Sequence, residues 1–145
     1  RIGGFLDYLG LLEGVSYSLL VMAAINSFLN ESEGGNRTIW GYDSFAGFPE
    51  PECQDESSFR SPLKGEWSMS PSGKYSYSPD FAKLIFKEAG VPFDNVRLVE
   101  GFFDETLKNH PQSPIAILHV DGDLYQSYFG ISISFGSARG ANRIR

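Results

Sequence analysis

Two aspartates at alternate positions, Asp121 and Asp123, close the continuous apolar run Pro114 to Val120. Their carboxylates are hard oxygen donors suited to Mg²⁺ or Ca²⁺. An apolar run without alternation is the pattern of a strand buried on both faces of a parallel sheet. In open α/β sheets, ligands bind at the carboxyl ends of the strands, so both aspartates fall where chemistry is done. Asp123 has a second reading, as the cap of a helix from Leu124 to Tyr128. That reading explains Asp121 less well.

Asp43 closes another strand-like segment, Thr38 to Tyr42. Nucleotide-binding α/β folds put an acid there to bind ribose hydroxyls; the competing reading is a turn aspartate. Between Gly10 and Ser16 lies a glycine-bearing turn that leads into a helix. Backbone N–H groups at such a helix start favour a carboxylate or a phosphate. Asp43 and this turn together favour a nucleoside-containing ligand. His119 lies within the apolar run and is expected as a hydrogen-bonded core residue, whereas His110, before Pro111, is expected in solvent. No Ser-His-Asp or Cys-His pattern stands out, and Cys53 lacks a base nearby in sequence.

The elements that must position these residues alternate. A short strand is expected over residues 2–9, then a helix from Tyr17 to Leu29 with Ser16 as cap, apolar on nearly every face. The second strand is Thr38 to Tyr42. A long irregular segment, Ala46 to Tyr77, carries prolines, Phe59, Trp67 and Tyr75. It is either a lid over something apolar or sugar-like, or a mobile loop with incidental aromatics. Ser78 and Pro79 start a helix in which Phe81, Leu84, Ile85 and Ala89 fall at helical spacing, stopped by Gly90 and Pro92. Val96 to Glu100 is a third strand, followed by a short helix near Asp104, and the apolar run is the fourth.

This alternation predicts an α/β fold with a parallel sheet of about four strands. A doubly wound order would set the first strand centrally, beside the fourth, and bring the Gly10–Ser16 turn next to Asp121. Residues 1–128 form the expected domain and 129–145 an atypical tail, rich in Gly, Ser and Arg. The very apolar fourth strand would then lie at an edge. A second copy of the chain would cover it as a homo-oligomer, or the terminus is truncated or frame-shifted. The first residue, Arg1, suggests a fragment or a processed product.

The chain has 145 residues and a formal net charge of −6, with no basic cluster of the kind that tracks a phosphate backbone, so nucleic acid is not an expected partner. The apolar stretch Leu19 to Ile25 is too short to span a bilayer and lacks the basic flank of a signal peptide. Cys53 is the single cysteine, which excludes an internal disulfide framework and favours a reducing, cytoplasmic setting. The triplets Asn30-Glu31-Ser32 and Asn36-Arg37-Thr38 match glycosylation sequons and are treated as chance.

Four blocks, in order, resemble the macrocin O-methyltransferase family of S-adenosylmethionine- and Mg²⁺-dependent sugar methyltransferases. They are Gly10 to Ser16, Tyr42 to Pro51, Val99 to Leu107 and Leu118 to Tyr128. The Asp-Ser-Phe-x-Gly-Phe-Pro and Asp-x-Asp-Leu-Tyr blocks are the specific ones. The resemblance implies a Rossmann-like sheet of the class I methyltransferase type, incomplete here and truncated at the C-terminus. It implies that Gly10, Gly14 and Ser16 line the methionine end of the cofactor, that Asp43, followed by Ser44, binds ribose, and that Gly101 and Phe102 border adenine. Asp121 would be a metal ligand, and Asp121 and Asp123 would be the catalytic pair. In the implied mechanism Mg²⁺ holds neighbouring hydroxyls of a sugar-like acceptor and lowers the pKa of one. The chain departs from the family pattern at Tyr8, where an acid is usual. The family's further acidic ligands follow the next strand, which Phe129 to Arg145 does not resemble. Two rival readings stay open: a metal-dependent glycosyltransferase using Asp-x-Asp, and a non-catalytic fragment.

Overall fold

A computed structural model describes residues 17–57, 59–69, 73, 76–111 and 113–136 of the chain. Helix α1 spans Tyr17–Glu33, strand β1 Ile39–Asp43, helix α2 Pro79–Glu88, strand β2 Val96–Glu100, the short helix α3 Phe103–Thr106 and helix α4 Tyr125–Gly136. The arrangement is mixed α/β, with β1 and β2 paired in parallel from Ile39 opposite Val96 to Asp43 opposite Glu100.

One face of this sheet carries the main core. Leu19, Leu20 and Ala23 of α1 meet Ile85 and Phe86 of α2 and Val96 of β2, with Ile39, Phe93 and Leu98 packed around them. Gly41 makes this packing possible. A Cβ there would lie 3.0 Å from side-chain carbons of both Leu19 and Leu98, so a bare strand residue lets the helix sit close. Helix α2 forms as its sequence dictates: the Ser78 side chain accepts from the Phe81 N–H at 3.1 Å, and Pro79 occupies the first helical position. Its inward stripe is Ala82, Ile85 and Phe86, flanked by Phe81 and Ala89, whereas Leu84 points outward.

Helix α1 runs four residues past the expected Leu29 and ends at Gly34, whose φ of 66° suits a residue without a side chain. The Asn30 side chain closes this end. Its amide donates to the Arg37 carbonyl at 3.1 Å and its oxygen accepts from the Arg37 N–H at 3.0 Å, while Asn26 donates to the same carbonyl. The helix is not buried all round, because Ile25 and Phe28 remain exposed.

The opposite face of β1 carries Trp40 and Tyr42. Both rings meet the His110 ring, which also makes an edge contact with Phe135 of α4 at 5.6 Å. His110 is therefore half-buried rather than solvated, and its Nδ1 shares a 2.7 Å hydrogen bond with the Tyr42 hydroxyl. Burial lowers the His110 pKa and raises that of Tyr42.

Three expectations fail here. Residues 114–120 form no strand: β1 and β2 pair only with each other among the described residues, and Ile117 is 78% exposed. An apolar run becomes a buried strand only through a ladder, and the neighbour expected for it, residues 2–9, lies outside the described residues. His119 is accordingly exposed rather than a core residue. Lastly, α4 begins at Tyr125 and continues to Gly136, well past the helix end expected at Tyr128. Its length is consistent with Leu124 and Ile131 being buried on one side.

Candidate functional site

The carboxyl ends of β1 and β2 open onto a cleft of about 690 Å³. β1 delivers Asp43, Ser44 and Phe45 to its rim, and β2 delivers Gly101 and Phe102. The Gly101 N–H donates to the Asp43 carbonyl at 3.0 Å, which carries the ladder one step beyond the strands and joins these two tips. Gly101 has a φ of 135°, and a Cβ there would come within 2.8 Å of Thr106 Cγ2. Only glycine fits that corner.

Facing these tips is the turn Asp121-Gly122-Asp123, followed by one side of α4 with Gln126, Ser127 and Gly130. The segment between β1 and α2 forms the remaining wall through Phe48, Pro49, Trp67 and Tyr77. Far from structureless, that segment contains a 3₁₀ turn at Cys53–Asp55 and an antiparallel bridge between Met69 and Ser76. Phe48 and Glu66 are tied by backbone bonds, Phe48 N–H to Glu66 oxygen at 3.0 Å and Gly65 N–H to Phe48 oxygen at 2.9 Å. The Arg60 guanidinium stacks over the rings of Trp67 at 5.0 Å and Phe48 at 5.5 Å, and pairs with Glu66 at 3.0 Å. A hydrogen bond from the Leu63 N–H is the main reason the Glu66 carboxyl lies below its ordinary range.

Backbone strain gathers at the same place. The non-glycine residues with positive φ among the described residues are Phe45 at 51°, Trp67 at 67° and Asp123 at 52°. All three line this cleft. A bulky residue in that region costs on the order of 1 kcal/mol, and such strain clusters at ligand sites.

The electrostatics follow from crowding. One Asp43 oxygen accepts the Phe45 N–H at 2.7 Å, so the turn-aspartate reading holds for that oxygen. Oδ2 has no hydrogen-bond partner among the described residues. Although the residue keeps an open edge, packing around its carboxyl raises the Asp43 pKa, against the lowering effect of that N–H. The Asp123 pKa is also raised, first by burial and then by the charge of Asp121, with Arg60 opposing.

Asp43, Ser44, Gly101, Phe102, Asp121 and Asp123 are therefore brought together at one cleft. Gly10, Gly14 and Ser16 lie outside the described residues. Asp123 does not cap α4: its backbone is left-handed, and the Tyr125 N–H is taken instead by Asp55 at 2.7 Å. The sequence reading missed Glu52, Asp55 and Arg60. Their partners lie far away in sequence or are aromatic faces, and no local pattern marks such pairings.

The residues present fit a nucleoside better than a metal. Asp43 has an open oxygen, Gly101 leaves backbone accessible and Phe102 offers a half-exposed ring. Among the described residues, by contrast, no three His, Cys, Asp or Glu side chains gather as a metal would need. For the Mg²⁺ expected at Asp121, the described residues therefore supply fewer than three such side chains together. Also among the described residues, no helix is long and apolar enough to cross a membrane.

Comparisons with known proteins bear on this geometry. The family model described as Macrocin-O-methyltransferase (TylF) matches residues 16–132. Curated relatives include an 8-demethyl-8-(2,3-dimethoxy-alpha-L-rhamnosyl)-tetracenomycin-C 4'-O-methyltransferase from Streptomyces olivaceus, 31% identical over 63% of this chain and 33% of its own length. Another is a mycinamicin III 3''-O-methyltransferase from Micromonospora griseorubida, 30% identical over 62% of this chain and 35% of its own length. A third, demethyldecarbamoylnovobiocin O-methyltransferase from Streptomyces niveus, is 30% identical over 63% of this chain and 34% of its own length. The matched part thus spans about a third of each relative. No solved structure matches. With its family model covering well over half of its residues, the chain belongs to the macrocin O-methyltransferase family.

Proposed function

We propose that this chain carries the cofactor cleft of an S-adenosylmethionine-dependent O-methyltransferase that acts on a hydroxyl of a small, sugar-bearing acceptor. The observation that carries the reading is the meeting of Asp43 with Gly101 and Phe102 at one rim, opposite the Asp121–Asp123 turn. Family membership supports methyl transfer, and the names of all three relatives describe O-methyltransferases.

When bound, S-adenosylmethionine supplies an electrophilic methyl group on a sulfonium. The open oxygen of Asp43 would accept hydrogen bonds from ribose hydroxyls, and Gly101 with Phe102 would border the adenine. Gly10, Gly14 and Ser16 are assigned to the methionine end on the family resemblance. Asp121 and Asp123 orient the acceptor hydroxyl and receive its proton, so that the oxygen attacks as its negative charge develops. Alignment of that oxygen with the methyl group supplies much of the rate. Phe48, Trp67 and the loop that carries them keep water out. The Rossmann-like class I sheet belongs to this proposal as well.

Calorimetric titration with S-adenosylhomocysteine tests the reading. Binding is expected, and Asp43→Ala is expected to weaken it by about tenfold or more, the usual effect of losing a hydrogen bond to a charged group. No heat and no thermal shift at millimolar ligand would sink the proposal. So would an Asp43→Ala chain that binds as well as the parent.

A further inference from the structure

The segment between β1 and α2 is fastened by hydrogen bonds to the far wall of the cleft through a short stretch, Glu52 to Asp55. One Asp55 oxygen accepts the Tyr125 N–H, the first of α4, at 2.7 Å, and the other accepts the Glu52 N–H at 2.8 Å. Glu52 in turn accepts from the Gln126 side chain at 2.6 Å. The two bonds to α4 join positions 70 and 74 residues apart. A helix start needs an acceptor for its free N–H groups, and normally the residue just before the helix provides it. Here that residue is Leu124, whose side chain has no acceptor, and before it comes the Asp121-Gly122-Asp123 turn. Asp123 adopts a left-handed backbone instead of the extended form of a capping residue, and Gly122 is packed so closely that a Cβ would lie 2.9 Å from Ser127 Cβ. The cap has been delegated to the loop, and a carboxylate at the positive end of α4 also suits the helix dipole.

We propose that Asp55 is a positioning residue. It latches the loop bearing Phe48 and Trp67 across the cleft, and by capping α4 from outside it holds the Asp121–Asp123 turn in its strained form. Opening the loop removes the cap, so entry of a ligand and the order of the aspartate turn are coupled. The role assigned to that turn rests on the methyltransferase reading above; the latch itself does not.

Limited trypsin digestion and hydrogen exchange on the whole chain separate the two. Arg60 and Lys64 lie on the loop, and Lys83 and Lys87 lie on α2. In Asp55→Ala, cleavage at Arg60 and Lys64 and exchange of the Tyr125 amide are expected to rise roughly fivefold, the effect of a lost helix cap. Cleavage at Lys83 and Lys87 should stay unchanged. Asp55→Asn keeps an acceptor for Tyr125 but cannot also accept from Glu52, so it should fall between the parent and Asp55→Ala. It also stands in if the alanine variant does not fold. Equal loop cleavage in parent and variants would overturn the latch, as would a rise at Lys83 and Lys87 that matches the rise on the loop. Added S-adenosylhomocysteine should protect the loop in the parent chain and protect it less in Asp55→Ala. Protection equal in both would overturn the coupling, whereas no protection in either, with the ligand-free difference intact, would count against the methyltransferase reading alone.

Discussion

The two faces of the β1–β2 sheet are held by different forces. On one, α1 and α2 bury leucine, isoleucine and phenylalanine side chains against the strands. On the other, a tyrosine–histidine hydrogen bond and ring edges accompany the buried Leu107 and Ile131, and a carboxylate clasp ties the loop to α4. Apolar packing is insensitive to direction and resists local opening; hydrogen bonds and stacked rings are directional and open piecemeal. The cleft sits at the junction, with one rim on the rigid strand tips and the other on the clasped loop. Such a division suits a site that must hold one ligand in register and let another in.

The largest expected effect breaks the packed side. Phe86 is 1% exposed and meets Phe93 edge-on at 5.1 Å. Phe86→Ala is expected to lower unfolding stability by about 3–5 kcal/mol in urea titrations, as large-to-small changes in cores do. Trp67→Ala, on the loop and 51% exposed, should cost about 1 kcal/mol or less, the scale of an aromatic contact. Equal losses would erase the distinction between the two sides.

Next comes the start of α2. Ser78→Ala removes the acceptor for the Phe81 N–H and should cost about 1 kcal/mol by the same measurement. This helix was also the most legible part of the sequence, because a serine cap and a first-turn proline act on their immediate neighbours. Strands β1 and β2 were legible too, within a residue at the β1 ends, since each is a short β-forming run bounded by turn residues. The site's place at the strand ends followed from parallel pairing. What stayed hidden was non-local. Nothing near Asp55 points to Tyr125, and nothing near His110 points to Tyr42, 68 positions away. The run from Ile115 to Leu118 misled for the same reason: apolar character records a capacity to be buried, and pairing decides whether it is used.

The smallest effect sharpens the polar side. Burial lowers the folded-state pKa of His110 below its usual value near 6.5. The unfolded chain therefore takes up a proton first as pH falls. Stability is fully present above about 6.5 and declines as pH drops below it toward the folded pKa. Thermal unfolding from pH 7.5 to 5.5 should show this loss, and His110→Asn should flatten part of the slope. An unchanged slope would remove His110 from the account.

The end of α1 shows how one side chain can stand in for backbone pairing. The Asn30 amide group is already spliced to both backbone atoms of Arg37, nitrogen to carbonyl and oxygen to N–H. One side-chain amide thus satisfies a donor and an acceptor of the chain just after α1. The Asn-Glu-Ser triplet serves as joinery between the end of α1 and the lead-in to β1.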